Sequence, residues 1–88
     1  MAKYVSMHTL ACLTRQGADE LSKRVFAGTG GSATGRRVAV NMIEGKMLVE
    51  WEAADRDGLE GWLKGEHFHY DWVLRIELES TGGALAAP

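Results

Sequence analysis

The sequence predicts one α+β domain with the element order β-α-β-β-α-β, a four-stranded antiparallel sheet and two helices on one face. Two observations predict this fold. In the run RVAVNMIEGKMLVEWE, every second residue is apolar on both sides of Glu44-Gly45, which is typical of a β-hairpin. One segment with apolar residues at helical spacing precedes this hairpin and another follows it. The order is that of the ferredoxin-like split βαβ plan.

The first half of the chain supplies one strand and one helix. Residues 3–9 form the strand, and residues 15–27 form the helix, with Thr14 as its N-cap. The apolar stripe of this helix consists of Ala18, Leu21 and Val25. Residues 28–35, GTGGSATG, form a glycine-rich connector to the hairpin. A phosphate-binding loop would instead follow a strand and open a helix.

The second half supplies the remaining helix and strand. Asp55 is the predicted N-cap of a helix over residues 56–65. The apolar stripe of this helix consists of Leu59, Trp62 and Leu63. Residues 66–70 are a linker, and residues 71–79 form the fourth strand. Residues 1–79 thus make a single domain, and residues 80–88 are predicted to be a flexible tail.

Alternation along the strands divides their residues between two faces of the sheet. The face assigned to the core contains Val5, Met7, Val38, Val40, Met42, Met47, Val49, Trp51, Trp72, Leu74, Ile76 and Leu78. The opposite face contains Tyr4, Ser6, His8, Ala39, Asn41, Ile43, Leu48, Glu50, Glu52, Val73, Arg75, Glu77 and Glu79. Because this second face is partly apolar, we expect a second copy to cover it. The pair would form a dimeric α/β barrel that encloses a cavity.

Charge and composition exclude several functional classes. The net charge is −2, and the ten basic residues are scattered, so no nucleic-acid surface is predicted. The single cysteine excludes an internal disulfide and is typical of a reducing cytoplasm. The sequence MAKYVSMHTL lacks the apolar run of a signal peptide or a membrane span. We therefore expect a cytoplasmic protein that pairs with itself and binds neither nucleic acid nor membrane.

The mixed face also suggests a catalytic site. His8 would act as a general base, Glu50 would orient it, and Arg75 would stabilise developing negative charge. The predicted ligand-binding residues are Tyr4, Asn41 and Glu77. The alternative interpretation is that the charged residues on this face are ordinary cross-strand pairs.

The three histidines suggest a metal site. Because residues two apart in an extended segment face opposite ways, one of His67 and His69 would combine with His8 and a carboxylate such as Glu50 or Asp71. Such a set suits nickel, zinc or iron, and of these we expect a divalent nickel or zinc ion. The alternative is that each histidine is a hydrogen-bonded side chain near a strand end.

The pattern KYVSMHTL…T-x3-A-x2-L, followed by KMLVEWEAADRDGLEGWL…H…D-x-VLRIELE, resembles a family of small ferredoxin-like α/β-barrel domains of unknown function that includes nickel-binding members. The features that carry the resemblance are His8, the sequence Glu52-Ala53-Ala54-Asp55, and His67. The resemblance implies that His8 and His67 take part in metal binding. Leu63 stands where the family's pattern expects a further ligand, four residues before His67.

Three functions remain open from the sequence. The first is a homodimer that binds a metal ion or a small molecule between its sheets. The second is a cofactor-free enzyme, similar to monooxygenases or isomerases of this fold, that acts on a small hydrophobic substrate. The third is a structural or assembly module without a ligand.

Overall fold

The six predicted elements are present in the computed structural model, which describes residues 1–27 and 33–88. The elements are β1 (Ala2–Thr9), α1 (Arg15–Ala27), β2 (Ala33–Asn41), β3 (Lys46–Ala53), α2 (Arg56–Gly65) and β4 (Trp72–Ile76). All strand pairs are antiparallel, and the strands lie in the order β2-β3-β1-β4. Both helices contribute to one core against the same face of the sheet. The predicted ferredoxin-like fold is confirmed.

Two element boundaries differ from the prediction by three residues. Residues 28–32 of the predicted connector lie outside the described residues, and the last three connector residues belong to β2. β4 ends at Ile76, three residues before the predicted end of the strand.

Both predicted helix N-caps are confirmed by hydrogen bonds. The backbone N–H of Gly17 donates to Thr14 Oγ1 at 3.0 Å, and that of Gly58 donates to Asp55 Oδ1 at 2.6 Å. Each side chain satisfies a backbone N–H that has no partner within its helix. Neither described helix is both long and apolar enough to cross a membrane.

The hairpin turn is fastened to the segment that follows β1. Gly45 has a φ of 65°, and a Cβ there would lie 2.7 Å from the carbonyl oxygen of Leu10. Leu10 N–H in turn donates to the Gly45 carbonyl at 2.8 Å. Asn41 Oδ1 accepts from the Glu44 N–H at 2.9 Å and closes the turn from the other side. Ile43 stands at the tip, 99% exposed, so its predicted place on the sheet face is wrong.

The strand faces agree with the prediction in β3 but not in β1 or β4. Met47, Val49 and Trp51 are buried against the helices, as predicted. β1 and β4 have the opposite phase to the prediction. Their helix-facing buried residues are Tyr4, Ser6, His8 and Val73, and their outward residues are Val5, Met7, Trp72 and Leu74. Trp72 and Leu74, predicted to lie in the core, are 43% and 55% exposed.

The C-terminal segment folds back on itself. Glu79 and Ala86 exchange backbone hydrogen bonds of 2.8 and 2.9 Å. Within the turn between them, the Ser80 hydroxyl donates to the Gly83 carbonyl at 2.6 Å. These bonds give local structure to the segment predicted to be a flexible tail, and they bring its last two residues beside β1.

Gly35 allows α1 to lie close to β2, and this contact can be tested. A Cβ at Gly35 would lie 2.5 Å from Val25 Cγ1 and 2.9 Å from the Val25 carbonyl oxygen. We expect Gly35→Ala to lower the free energy of unfolding by about 1–3 kcal/mol, because the helix backbone must move away. Chemical denaturation measures this quantity.

The matched control is Gly61→Ala in α2, where an added Cβ meets nothing within 4 Å. It should raise stability by up to about 1 kcal/mol through helix propensity. Wild-type stability in Gly35→Ala would contradict the close packing of α1 on β2.

Candidate functional site

A chain of hydrogen bonds runs through the buried side of β1. Trp51 Nε1–H donates to Ser6 Oγ at 2.8 Å. Ser6 Oγ lies 2.7 Å from His8 Nε2, and His8 Nδ1 lies 2.7 Å from the carbonyl oxygen of His69. The Trp51, Ser6 and His8 side chains are fully buried. We call these four residues the buried network.

The partners in the buried network fix the tautomer of His8. A carbonyl oxygen only accepts hydrogen bonds, so His8 Nδ1 must carry the hydrogen that bonds to His69. Nε2 then accepts from the Ser6 hydroxyl, whose oxygen accepts from Trp51. In the described part of the chain, every buried side-chain nitrogen and oxygen has a partner. The neutral imidazole with its hydrogen on Nδ1 satisfies this network, with both nitrogens in use.

Burial also opposes a charge on His8. Desolvation lowers the pKa of His8 below its ordinary value of 6.5, and the hydrogen bond to the His69 carbonyl and the charge of Asp71 offset this only in part. The ring of Phe68 lies 4.6 Å from the imidazole, centroid to centroid, and adds to the apolar surroundings.

The structure does not assemble the predicted catalytic set. His8 faces the helices, whereas Glu50 lies on the opposite face of the sheet, where it contacts Arg37 at 3.1 Å and Lys3 at 3.5 Å. The prediction that Glu50 orients His8 is therefore wrong, because β1 has the opposite phase. Arg75 is opposite the buried Tyr4 in the register and so lies on the helix side of the sheet, although it borders the same cleft as Glu50.

The three predicted ligand-binding residues are also separated. Tyr4 is buried in the core. Asn41 ends β2 on the open face, where its amide donates to Glu44 at 3.1 Å. Glu77 follows the end of β4 and borders a cleft with Lys3.

The predicted metal ligands do not converge. His8 uses both ring nitrogens, and His69 Nε2 lies 3.3 Å from Asp71 Oδ1. His67 is exposed, with a φ of 54°. Across residues 1–27 and 33–88, no three His, Cys, Asp or Glu side chains are grouped to hold a metal ion.

The open face of the sheet instead carries an apolar surface. Residues that are directly opposite on neighbouring strands share a face, so the register defines a row across all four strands. That row is Ala39, Leu48, Met7 and Trp72. Val5 and Leu74 form the adjoining pair on the two strands β1 and β4. We call these six residues the apolar band.

Ion pairs flank the apolar band on one side. Arg37 and Lys3 both approach Glu50, Arg36 Nη2 lies 2.6 Å from Glu52, and Lys3 also contacts Glu79 at 2.9 Å. Hydrogen bonds from these arginines lower the pKa of Glu50 and of Glu52. We call the part of the open face that carries these ion pairs the charged end. A cleft of about 610 Å³ lies there, and most of its charged groups already pair with each other.

A cluster of three polar side chains lies on the other side of the apolar band. Lys46 Nζ donates to Thr9 Oγ1 at 3.0 Å, and the Thr9 hydroxyl donates to Asp71 Oδ2 at 2.5 Å. This second bond lowers the pKa of Asp71 below its ordinary value. An open depression of about 280 Å³ lies between this group and the band. The depression is lined by Met7, Ala39, Val40, Asn41, Lys46 and Leu48.

No protein-family model, curated protein or solved structure matches this chain. The resemblance to the small α/β-barrel family therefore stays a prediction.

Sequence reasoning missed the apolar band because it assigned the wrong phase to β1 and β4. Alternation in β1 separates Tyr4, Ser6 and His8 from Val5 and Met7, but it does not say which set is buried. The partners that allow the polar set to be buried lie 45 and 61 residues further along the chain. No local signal in β1 indicates them.

The neutral state of His8 predicts that acid weakens the fold. The unfolded chain takes up a proton on this histidine near pH 6.5, whereas the folded chain resists protonation to lower pH. The unfolded state therefore binds more protons in this range, so the free energy of unfolding decreases as the pH is lowered. The free energy of unfolding should be level above about pH 6.5 and should decrease from there towards pH 5. The carboxylates with lowered pKa values contribute only in more acid solution.

Denaturation at a series of pH values measures how the free energy of unfolding depends on pH, and an NMR titration of the imidazoles measures the pKa of His8. His67→Gln is the matched control, because His67 is exposed and should leave the slope unchanged. An NMR pKa of 6.5 or higher for His8 would contradict the buried network.

The same hydrogen bonds predict the outcome of metal analysis. A metal on His8 would have to replace Ser6 or the His69 carbonyl as a partner. We expect purified protein to hold neither nickel nor zinc in stoichiometric amount, and added Zn²⁺ to leave the His8 resonances unmoved. A stoichiometric metal that His8→Ala removes would overturn this expectation.

Proposed function

We propose that this protein is a homodimer whose copies meet through their open sheet faces and bind a small apolar molecule between them. The observation that carries this proposal is the apolar band. It crosses all four strands, and its Trp72 and Leu74 are largely exposed in the single chain. Exposed apolar patches of this kind are typical of interaction surfaces and ligand sites.

The distribution of polarity around the apolar band supports an interface. Charged residues flank the band beside Glu50 on one side and beside Lys46 on the other. A central apolar patch with a polar rim is the usual anatomy of a protein–protein interface. The band also contains Trp72, and tryptophan is enriched among residues that dominate binding energy.

A second copy is the partner that the charges favour. The charged end holds both signs, with Lys3, Arg36 and Arg37 beside Glu50, Glu52 and Glu79. In a two-fold dimer, the same patch occurs on both copies, so it must be complementary to itself. A surface that mixes both signs meets this requirement, whereas a surface of one sign would repel its copy.

Binding is better supported than catalysis. The apolar band contains no acid, base or nucleophile, and His8 has no free ring nitrogen. Its large apolar side chains can surround a small apolar molecule, and the facing sheet would exclude water from it. A structural module without a ligand is the alternative that ligand titration distinguishes.

Leu48→Asp tests the dimer. Leu48 is half-buried in the middle of the band, on the central strand β3. A carboxylate there would be buried without a partner in the dimer, so we expect at least a tenfold weaker dimerisation constant, or about 1.4 kcal/mol. Sedimentation equilibrium measures this constant.

Ile43→Asp is the matched control. It makes the same kind of change at the fully exposed hairpin tip, outside the apolar band, and should leave the constant unchanged. A wild-type protein that stays monomeric up to about 1 mM, where association supplies only about −4.1 kcal/mol, would refute the dimer.

A further inference from the structure

We propose that the depression beside Lys46 binds a small apolar carboxylic acid, with its hydrocarbon part on the apolar band and its carboxylate on the Lys46 ammonium. This inference rests on the proposed function, because it names the ligand class for the same space between the sheets.

The floor of the depression suits a hydrocarbon. Met7, Ala39 and Leu48 are neighbours in one cross-strand row, so their side chains form a continuous apolar surface. The volume of about 280 Å³ in one chain lies just below the range of roughly 300–1,000 Å³ for small-molecule sites. The facing sheet of a second copy would close the open side.

Lys46 supplies the specificity for an anion. It is the only charged residue among those that line the depression. Its Nζ donates to the Thr9 hydroxyl, which donates in turn to Asp71, and the charge of Lys46 helps to lower the pKa of Asp71. None of the salt bridges in the described part of the chain involves Lys46. An ammonium has three donors, so two remain for a ligand. Asn41, opposite Lys46 in the register, adds an amide at the same rim.

The carboxylates near this rim already have partners. Asp71 accepts from Thr9 and contacts His69, and Glu44 accepts from Asn41. The lysine is therefore the charged group at the rim with donors left to offer. A ligand with an ammonium head would meet Lys46 as a like charge, so a carboxylate head is the better match.

Three eight-carbon compounds that differ only in the head group test this assignment. Octanoate, 1-octanol and octylamine are titrated into the wild-type protein, with tryptophan fluorescence and backbone amide NMR shifts as readouts. Octanoate should bind up to about fivefold more tightly than octanol, and octylamine should bind most weakly. The NMR shifts should concentrate at residues 39–41 and 46–48.

Lys46→Met removes the charge and keeps a flexible apolar side chain. It should bring octanoate to the affinity of octanol while leaving octanol binding unchanged. Lys23→Met is the matched control, because Lys23 is an exposed lysine on α1 with a side chain that is 75% exposed. It should preserve the preference for octanoate.

The outcomes separate this inference from the proposed function. Equal binding of octanoate and octanol by the wild-type protein would overturn the role of Lys46 and leave an apolar ligand site in place. Tighter binding of octylamine would overturn the choice of an anion. If none of the three compounds binds to a protein that sedimentation shows to be a dimer, the ligand site itself is refuted and the dimer stands.

Discussion

The hydrogen bonds that join Trp51, Ser6, His8 and the His69 carbonyl determine which face of β1 is buried. A buried polar side chain without a partner costs about 1–3 kcal/mol, and here each group has one. β1 lies between β3 and β4, and residues directly opposite in antiparallel strands share a face. Ser6 is opposite both Val49 and Val73, so one choice of phase in β1 sets the faces of three strands.

The polar core and the apolar surface are therefore two results of one arrangement. When Ser6 and His8 turn inwards, Val5 and Met7 must turn outwards, because successive side chains on a strand alternate. β4 follows, so Val73 is buried and Trp72 and Leu74 are exposed. A domain of 88 residues can bury only part of its apolar surface by itself, and the proposed second copy would cover more of it.

The histidine that the sequence marks as a catalytic base has a structural role in this fold. His8 connects the end of β1 to the linker before β4 through the His69 carbonyl. The neighbouring backbone bond from Asp71 N–H to the Met7 carbonyl, at 2.7 Å, holds the same junction. The proposed ligand site lies on the other face, where Lys46 borders an apolar depression.

The amino-acid sequence is sufficient to predict the element order, both helix N-caps, the hairpin turn at Gly45 and the core face of β3. These features depend on residues within a few positions of each other, so local patterns are enough to predict them. Tertiary structure alone decided the phase of β1 and β4 and with it the residues of the candidate site. The physical reason is that alternation fixes only the period of a strand. Which set is buried depends on whether Ser6 and His8 find partners, and these lie 45 and 61 residues away.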